Sequence, residues 1–286
     1  MRKLAPYAVA IGYRVGVLPI PREVARATYA YLRAADRLLP RGITACAATG
    51  SLALGAYREG VSDIDLVAVV DDKWRGRRTL IPRLRFLHLS QFPRVAARVV
   101  RGLGTSATCN TSFIWASDVG RPVSEIRPVA SHVGEQFVAG RSFDVNPVMW
   151  SELVGGGIAL RGPEVSRWGL SPEPDAVAEW TRKNLRSYWL PLADGLDVRR
   201  RPLTPGNVAW LVCGPARMHA TITIGDIISK DEAGRRAREI FPQHTEIIDV
   251  ALAARRGEKP PHAPPRKEWG ARTSAVMREI FDDLGV

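Results

Sequence analysis

Apolar residues recur at helical spacing early in the chain. Val24, Ala27, Tyr31, Leu32, Ala35, Leu38 and Leu39 fall on one face, the stripe that an amphipathic helix buries. Pro21 suits its first turn and Pro40-Arg41-Gly42 ends it. The pattern then changes. Residues 43–48 are apolar and partly β-branched, as in a buried strand. Gly50-Ser51 breaks that strand, and a short helix and loop are predicted before a second strand over 62–70. Residues 71–78 read as a solvated loop. Residues 80–101 predict a helix interrupted by Pro82 and Pro93 and closed by Gly102 and Gly104, with its arginines on an exposed face. The β-branched and aromatic run 108–116 predicts a third strand. Residues 117–143 read as irregular, with His132 at the surface. A short helix over 145–153, a break at 155–157 and a brief strand over 158–160 complete this part.

From Ser171 the pattern is helical. Ser171, Pro172 and Glu173 suit a helix start, and Ala176, Trp180, Leu185, Trp189 and Leu190 make an apolar face. A helix over 206–223 is predicted to turn Trp210, Leu211, Cys213, Met218 and Ile222 inward, with a kink at Gly214-Pro215. Ser229-Lys230-Asp231-Glu232 has the form of a capping box. Helices over 246–255 and 269–284 flank the Pro-rich, exposed stretch 258–267. The layout is an α+β chain: a mixed-sheet domain over 1–165, then an all-α helical-bundle domain over 166–286.

Composition adds limits. Hydrophobic and charged contents of 45% and 24% suit a globular protein, and no apolar run reaches a membrane span. The start of the chain is basic and mildly apolar, but Arg14 and the prolines interrupt it, so no signal peptide is expected. Three cysteines, far apart and in apolar surroundings, read as buried, reduced thiols in a cytoplasmic protein. A net charge of +12 favours anionic ligands. No Lys/Arg block with interleaved aromatics is present, so a dedicated nucleic-acid stripe is not expected.

The chemistry concentrates at residues 50–65. Side chains alternate along a strand, so Asp63 and Asp65 share one face while Ile64 and Leu66 take the other. Two adjacent carboxylates repel each other and resist burial, and a divalent cation relieves both effects. Mg²⁺ in phosphoryl-transfer sites is held by one or two carboxylates plus substrate phosphates. Gly50 lets the backbone approach a ligand closely.

Gly50-Ser51, Gly55 and Ser62-Asp63-Ile64-Asp65 together resemble the signature of the nucleotidyltransferase superfamily: Gly-Ser, a few residues, Gly, then a polar residue and Asp-x-Asp. The resemblance implies that Ser51 contacts nucleotide phosphate, that Asp63 and Asp65 bind Mg²⁺, and that Ser62 adds a phosphate contact. Residues 207–234 resemble the helical domain of the aminoglycoside 3''/9-adenylyltransferases, in which an Arg-bearing helix runs into Thr-Gly-x-Ile, a spacer and Lys. The matching residues are Arg217, Gly225, Ile227 and Lys230, with Ile224 where that family usually has Thr. Arg217 and Lys230 are thereby implied to clamp ATP phosphates. Lys230 stands in a helix's first turn, where a cation opposes the helix dipole, so a ligand role explains its place.

Two departures concern the acceptor side. The family's third strand carries a Glu acting as general base, and the aligned residue here is Asn110. An amide does not accept that proton usefully, so Asp118, Glu125 or Glu135 substitutes, the alignment slips, or transfer is slow or absent. The family's antibiotic-binding acids align in part with Asn207. The sequence reading is therefore a Mg²⁺-dependent enzyme that moves AMP from ATP to a hydroxyl of a small molecule, with an aminoglycoside as the family's default acceptor. The alternatives are a nucleotide-binding protein with weak or no transfer, and transfer onto protein or RNA. A monomer is expected.

Overall fold

The computed structural model describes residues 20–102, 108–197, 202–260 and 262–286. The stretch 1–19 and the glycine at 104 expected to close a helix lie outside them. The chain divides into two compact units, one over 1–120, 127–142 and 151–170, the other over 121–126, 143–150 and 171–286.

The first unit is built on a six-stranded mixed sheet. Helix α1 (Arg22–Leu38) precedes strands β1 (Ile43–Ala48) and β2 (Ile64–Val70). Helices α2 (Leu80–Leu89) and α3 (Phe92–Val100) lead to strand β3 (Cys109–Trp115). Strands β4 (Ala130–Val133) and β5 (Gln136–Ala139) form a hairpin. Helix α4 (Pro147–Gly156) precedes strand β6 (Ile158–Arg161). The sheet order is β5-β4-β3-β2-β1-β6, with only the β2–β3 pair parallel.

Strand alternation assigns the two faces. Ile64, Leu66, Ala68 and Val70 of β2, with Cys109 and Phe113 of β3, share a core with Val24, Ala27, Tyr31, Leu32 and Ala35 of α1 and with Leu84 and Leu87 of α2. Asp65 and Asn110 therefore lie on the opposite face, away from these helices. A bidentate ion pair of Arg161 with Asp36, both bonds 2.7 Å, ties β6 to α1. Paired and planar, such contacts hold geometry better than single-point ones.

Several sequence expectations are corrected here. The region 117–143 is not irregular; it contains the β4–β5 hairpin. The signal was a two-residue Gly134-Glu135 turn between short strands whose polar residues masked the alternation. His132 is 1% exposed rather than at the surface, because it faces α1, where its Nε2 and the Tyr31 hydroxyl share a hydrogen bond at 2.7 Å. The stretch 80–101 is two helices that break at Ser90-Gln91, not at either proline. Pro82 and Pro93 sit in first turns, where the missing N–H costs nothing. Between Gly50 and Gly55 there is one helical turn, with Leu54 N–H donating to Gly50 O at 3.0 Å, and not a helix.

The second unit is helical: α5 (Val177–Asn184), a π-helical turn (Leu185–Trp189), α6 (Leu190–Asp197), α7 (Pro205–Thr223), α8 (Lys230–Ile240), α9 (Thr245–Arg256) and α10 (Trp269–Asp283). Its core gathers Val208, Val212 and Cys213 of α7, Ile248 and Ala251 of α9, and Met277 and Ile280 of α10. Ser171 does not cap α5. It bridges to Pro122 as isolated β-structure, and α5 starts later, after a 3₁₀ turn (Pro174–Ala176). Trp210 is exposed rather than inward; the buried stripe of α7 runs through Val208, Leu211 and Val212 instead. The capping box at Ser229 is present, with Glu232 N–H donating to Ser229 Oγ at 3.2 Å and Ser229 N–H to the Glu232 carboxylate at 2.9 Å.

Candidate active site

The end of β1, the start of β2 and the start of β3 meet at one edge of the sheet. Ala48 pairs with Leu66, and Thr49 N–H donates to Asp65 O at 2.9 Å. The chain then turns through Gly50 with φ +61°, a left-handed conformation that favours glycine. A second constraint acts on the same residue: a Cβ on Gly50 would meet Asp65 Oδ2 at 2.5 Å. Glycine is what allows the turn to lie against this carboxylate. Ser51 follows, half-buried, and its carbonyl accepts from Ala56 N–H at 2.8 Å.

The loop into β2 is held from two directions. Ser62 Oγ accepts from Arg58 N–H at 3.0 Å. Glu23 of α1 accepts from the Tyr57 hydroxyl at 3.1 Å and from Gly60 N–H at 3.2 Å, and is ion-paired with Arg98. Asp63 is exposed and Asp65 half-buried. The sequence pattern gave no hint of Glu23, because it belongs to a helix remote in the chain.

The parallel register sets the third strand. Asp65 pairs with Asn110, and Asn110 Nδ2 donates to Asp65 Oδ1 at 3.2 Å. Asn110 therefore stands beside Asp65 on the neighbouring strand. Its other end is engaged too: Asn110 Oδ1 accepts from Gly134 N–H, at the tip of the β4–β5 hairpin, at 3.0 Å.

Two of the remaining acids fall elsewhere, and the third stands at the hairpin tip. Asp118 is buried in a 3₁₀ turn (Ala116–Asp118) beyond the far end of β3, which itself runs about 17 Å from Asn110 to Trp115 at ~3.3 Å per residue. Glu125 is exposed, paired with Arg121 at 3.0 Å, and belongs to the second unit. Glu135 follows Gly134 at the hairpin tip and is exposed.

The donor set suits a hard divalent cation. Two carboxylates at an accessible edge match the one or two that Mg²⁺ takes beside substrate phosphates. Among the described residues no group of three or more His, Cys, Asp or Glu could hold a metal, so an all-protein cage is not what these residues offer.

In the second unit, Arg217 lies on α7 and Lys230 is the first residue of α8, both half-buried. Burial pushes the nearby Cys213 thiol up to about 11, Arg255, Lys230 and Arg217 pull it down, and Asp231 pushes it up. Asn207 closes the capping box of α7: its N–H donates to Thr204 Oγ1 at 3.2 Å, and its Oδ1 accepts from the Thr204 hydroxyl at 2.7 Å. Sequence reasoning missed the aromatic surface of this unit. Phe143, Trp180, Tyr188, Trp189 and Trp210 form a chain of ring contacts with centroids 5.0–6.3 Å apart.

The architecture is α+β, a six-stranded mixed-sheet unit and a helical unit. The structure is similar to that of spectinomycin adenyltransferase AAD(9) from Enterococcus faecialis, solved with ATP and spectinomycin, at 12% identity and a TM-score of 0.53 over 89% of this chain and 98% of that one. No protein-family model matches the sequence, and no curated protein matches it.

Proposed function

We propose that the protein is a Mg²⁺-dependent nucleotidyltransferase that moves AMP from ATP to a hydroxyl of a small molecule. The observation that carries the reading is the sheet edge at which Gly50 is confined against Asp65 by its missing Cβ, with Ser51 beside it and Asp63 two residues before Asp65. Asp63 and Asp65 would hold the ion. When bound, Mg²⁺ supplies charge neutralisation for a triphosphate and orients it. Ser51 and Ser62 supply hydroxyls for phosphate, and Arg217 and Lys230 are proposed as further phosphate contacts, since fixed cations stabilise charge that develops on transfer. The nucleotide of the structurally similar enzyme supports ATP as co-substrate. Its spectinomycin places aminocyclitols and aminoglycosides first among acceptors to try. The described helices include none long and apolar enough to cross a membrane.

The test is pyrophosphate release from Mg·ATP with a panel of such acceptors. Asp63→Asn and Asp65→Asn are expected to lower the rate at least about 10²-fold, the scale of losing one electrostatic stabiliser, and to remove the rise in melting temperature on adding Mg·ATP. EDTA should do the same to the wild-type protein. Retained activity in both variants would sink the reading.

A second reading is favoured by one observation. Asn110, an amide, stands in register with Asp65. If Mg·ATP raises the melting temperature and no acceptor gives turnover, the protein is a nucleotide-binding protein with weak or no transfer.

A further inference from the structure

The acceptor hydroxyl must lose a proton as it attacks, and a positioned base contributes typically 10²–10⁴-fold. Asn110 does not serve: its nitrogen donates to Asp65 and its oxygen accepts from Gly134. Those same two bonds do something else. They tie the tip of the β4–β5 hairpin to the metal-binding edge, at 3.0 Å on one side and 3.2 Å on the other. Register leads to the same arrangement. Thr111 pairs with His132 and Val133 with Gln136, so Val133 comes level with Asn110 and the two-residue turn lies just beyond it. The acid at that turn is Glu135, exposed, and the space beside it is open: a Cβ on Gly134 would meet nothing within 4 Å.

Resting on the proposed transfer reaction, we infer that Glu135 is the general base for the acceptor and that Asn110 is the residue that positions it. The acceptor oxygen forms a bond to the α-phosphorus. The bond from that phosphorus to the oxygen bridging to the β-phosphate breaks, and pyrophosphate leaves with the electron pair. The hydroxyl proton passes to the Glu135 carboxylate. A hairpin tip thus delivers the carboxylate that the third strand lacks, and the amide on that strand is the clamp for it.

The experiment uses the full chain, with spectinomycin, an aminoglycoside panel and water as acceptors, and reads kcat and acceptor KM from pyrophosphate release beside the melting shift with Mg·ATP. Glu135→Gln is expected to lower kcat about 10²-fold or more, and to leave the acceptor KM and the Mg·ATP melting shift as in the wild type. Asn110→Ala is expected to lower kcat with the same unchanged KM, because the tip is released. The double variant should be no slower than Glu135→Gln alone, as for residues acting as a unit. A wild-type kcat in Glu135→Gln overturns the inference and leaves the transfer reaction standing. A normal Mg·ATP shift with no release to any acceptor in the wild type also overturns it, since no proton is then taken. Loss of both the shift and the release in the wild type removes the transfer reading and this inference with it.

Discussion

At the scale of single residues, the Tyr31–His132 pair has the most direct consequence for stability. His132 is held down to about 3 from an ordinary value of 6.5, first by burial and then by the neighbouring His88 ring, whose centroid lies 4.8 Å away. Its Nε2 is hydrogen-bonded to the Tyr31 hydroxyl. Above the unfolded value the ring is neutral in both states and contributes no pH dependence. Below it the unfolded chain binds a proton and the folded chain does not. Stability therefore falls on acidification, by up to about 1.4 kcal/mol per pH unit, until the folded value is reached. Urea unfolding between pH 7 and pH 4 should show this slope, and His132→Phe should flatten it. The variant loses a buried hydrogen bond and starts about 1–3 kcal/mol less stable, so the slope is the readout. An unchanged slope in His132→Phe would refute the assignment.

At the scale of elements, α7 is where local propensity and packing disagree. Gly214 and Pro215 sit inside a 19-residue helix, and a glycine there costs about 1 kcal/mol against alanine. Packing explains it: a Cβ on Gly214 would meet Trp189 Cη2 at 2.2 Å and Cζ2 at 2.6 Å. The indole, on the π-helical turn and 5% exposed, has nowhere to move. Gly214→Ala, stabilising by propensity, is instead expected to destabilise by about 1–3 kcal/mol through overpacking. Calorimetry decides the sign, because a raised Tm would mean that the ring yields. Trp210, four residues before Gly214 and so on the same face of α7, packs against the same indole with ring centroids 5.0 Å apart, and its outer side stays exposed.

At the scale of the whole molecule, the division of the chain at 165/166 is a proposal with a direct check. Residues around it are mostly exposed, Arg167 among them, so limited trypsin digestion should give an early cut after Arg167. Long-lived fragments running uncut through 160–175 would count against the division. Much of the candidate site was legible beforehand, for a physical reason. Gly50, Ser51, Asp63 and Asp65 are close in sequence, so turn chemistry and strand alternation suffice to bring them together. The capping box at Ser229 was readable on the same ground, since every atom it needs lies within four residues. What sequence left open involves partners far apart in the chain. The clamp from Asp65 through Asn110 to Gly134 depends on parallel and antiparallel register across three strands. Glu23 holds the loop before Asp63 from another helix, and the burial of His132 depends on Tyr31, 101 residues away. By itself the sequence determined the strand–turn–strand that carries two carboxylates, because periodicity and turn preference act over a few residues. Only the tertiary structure decided what stands beside those carboxylates, because strand register and packing join residues that no local pattern connects.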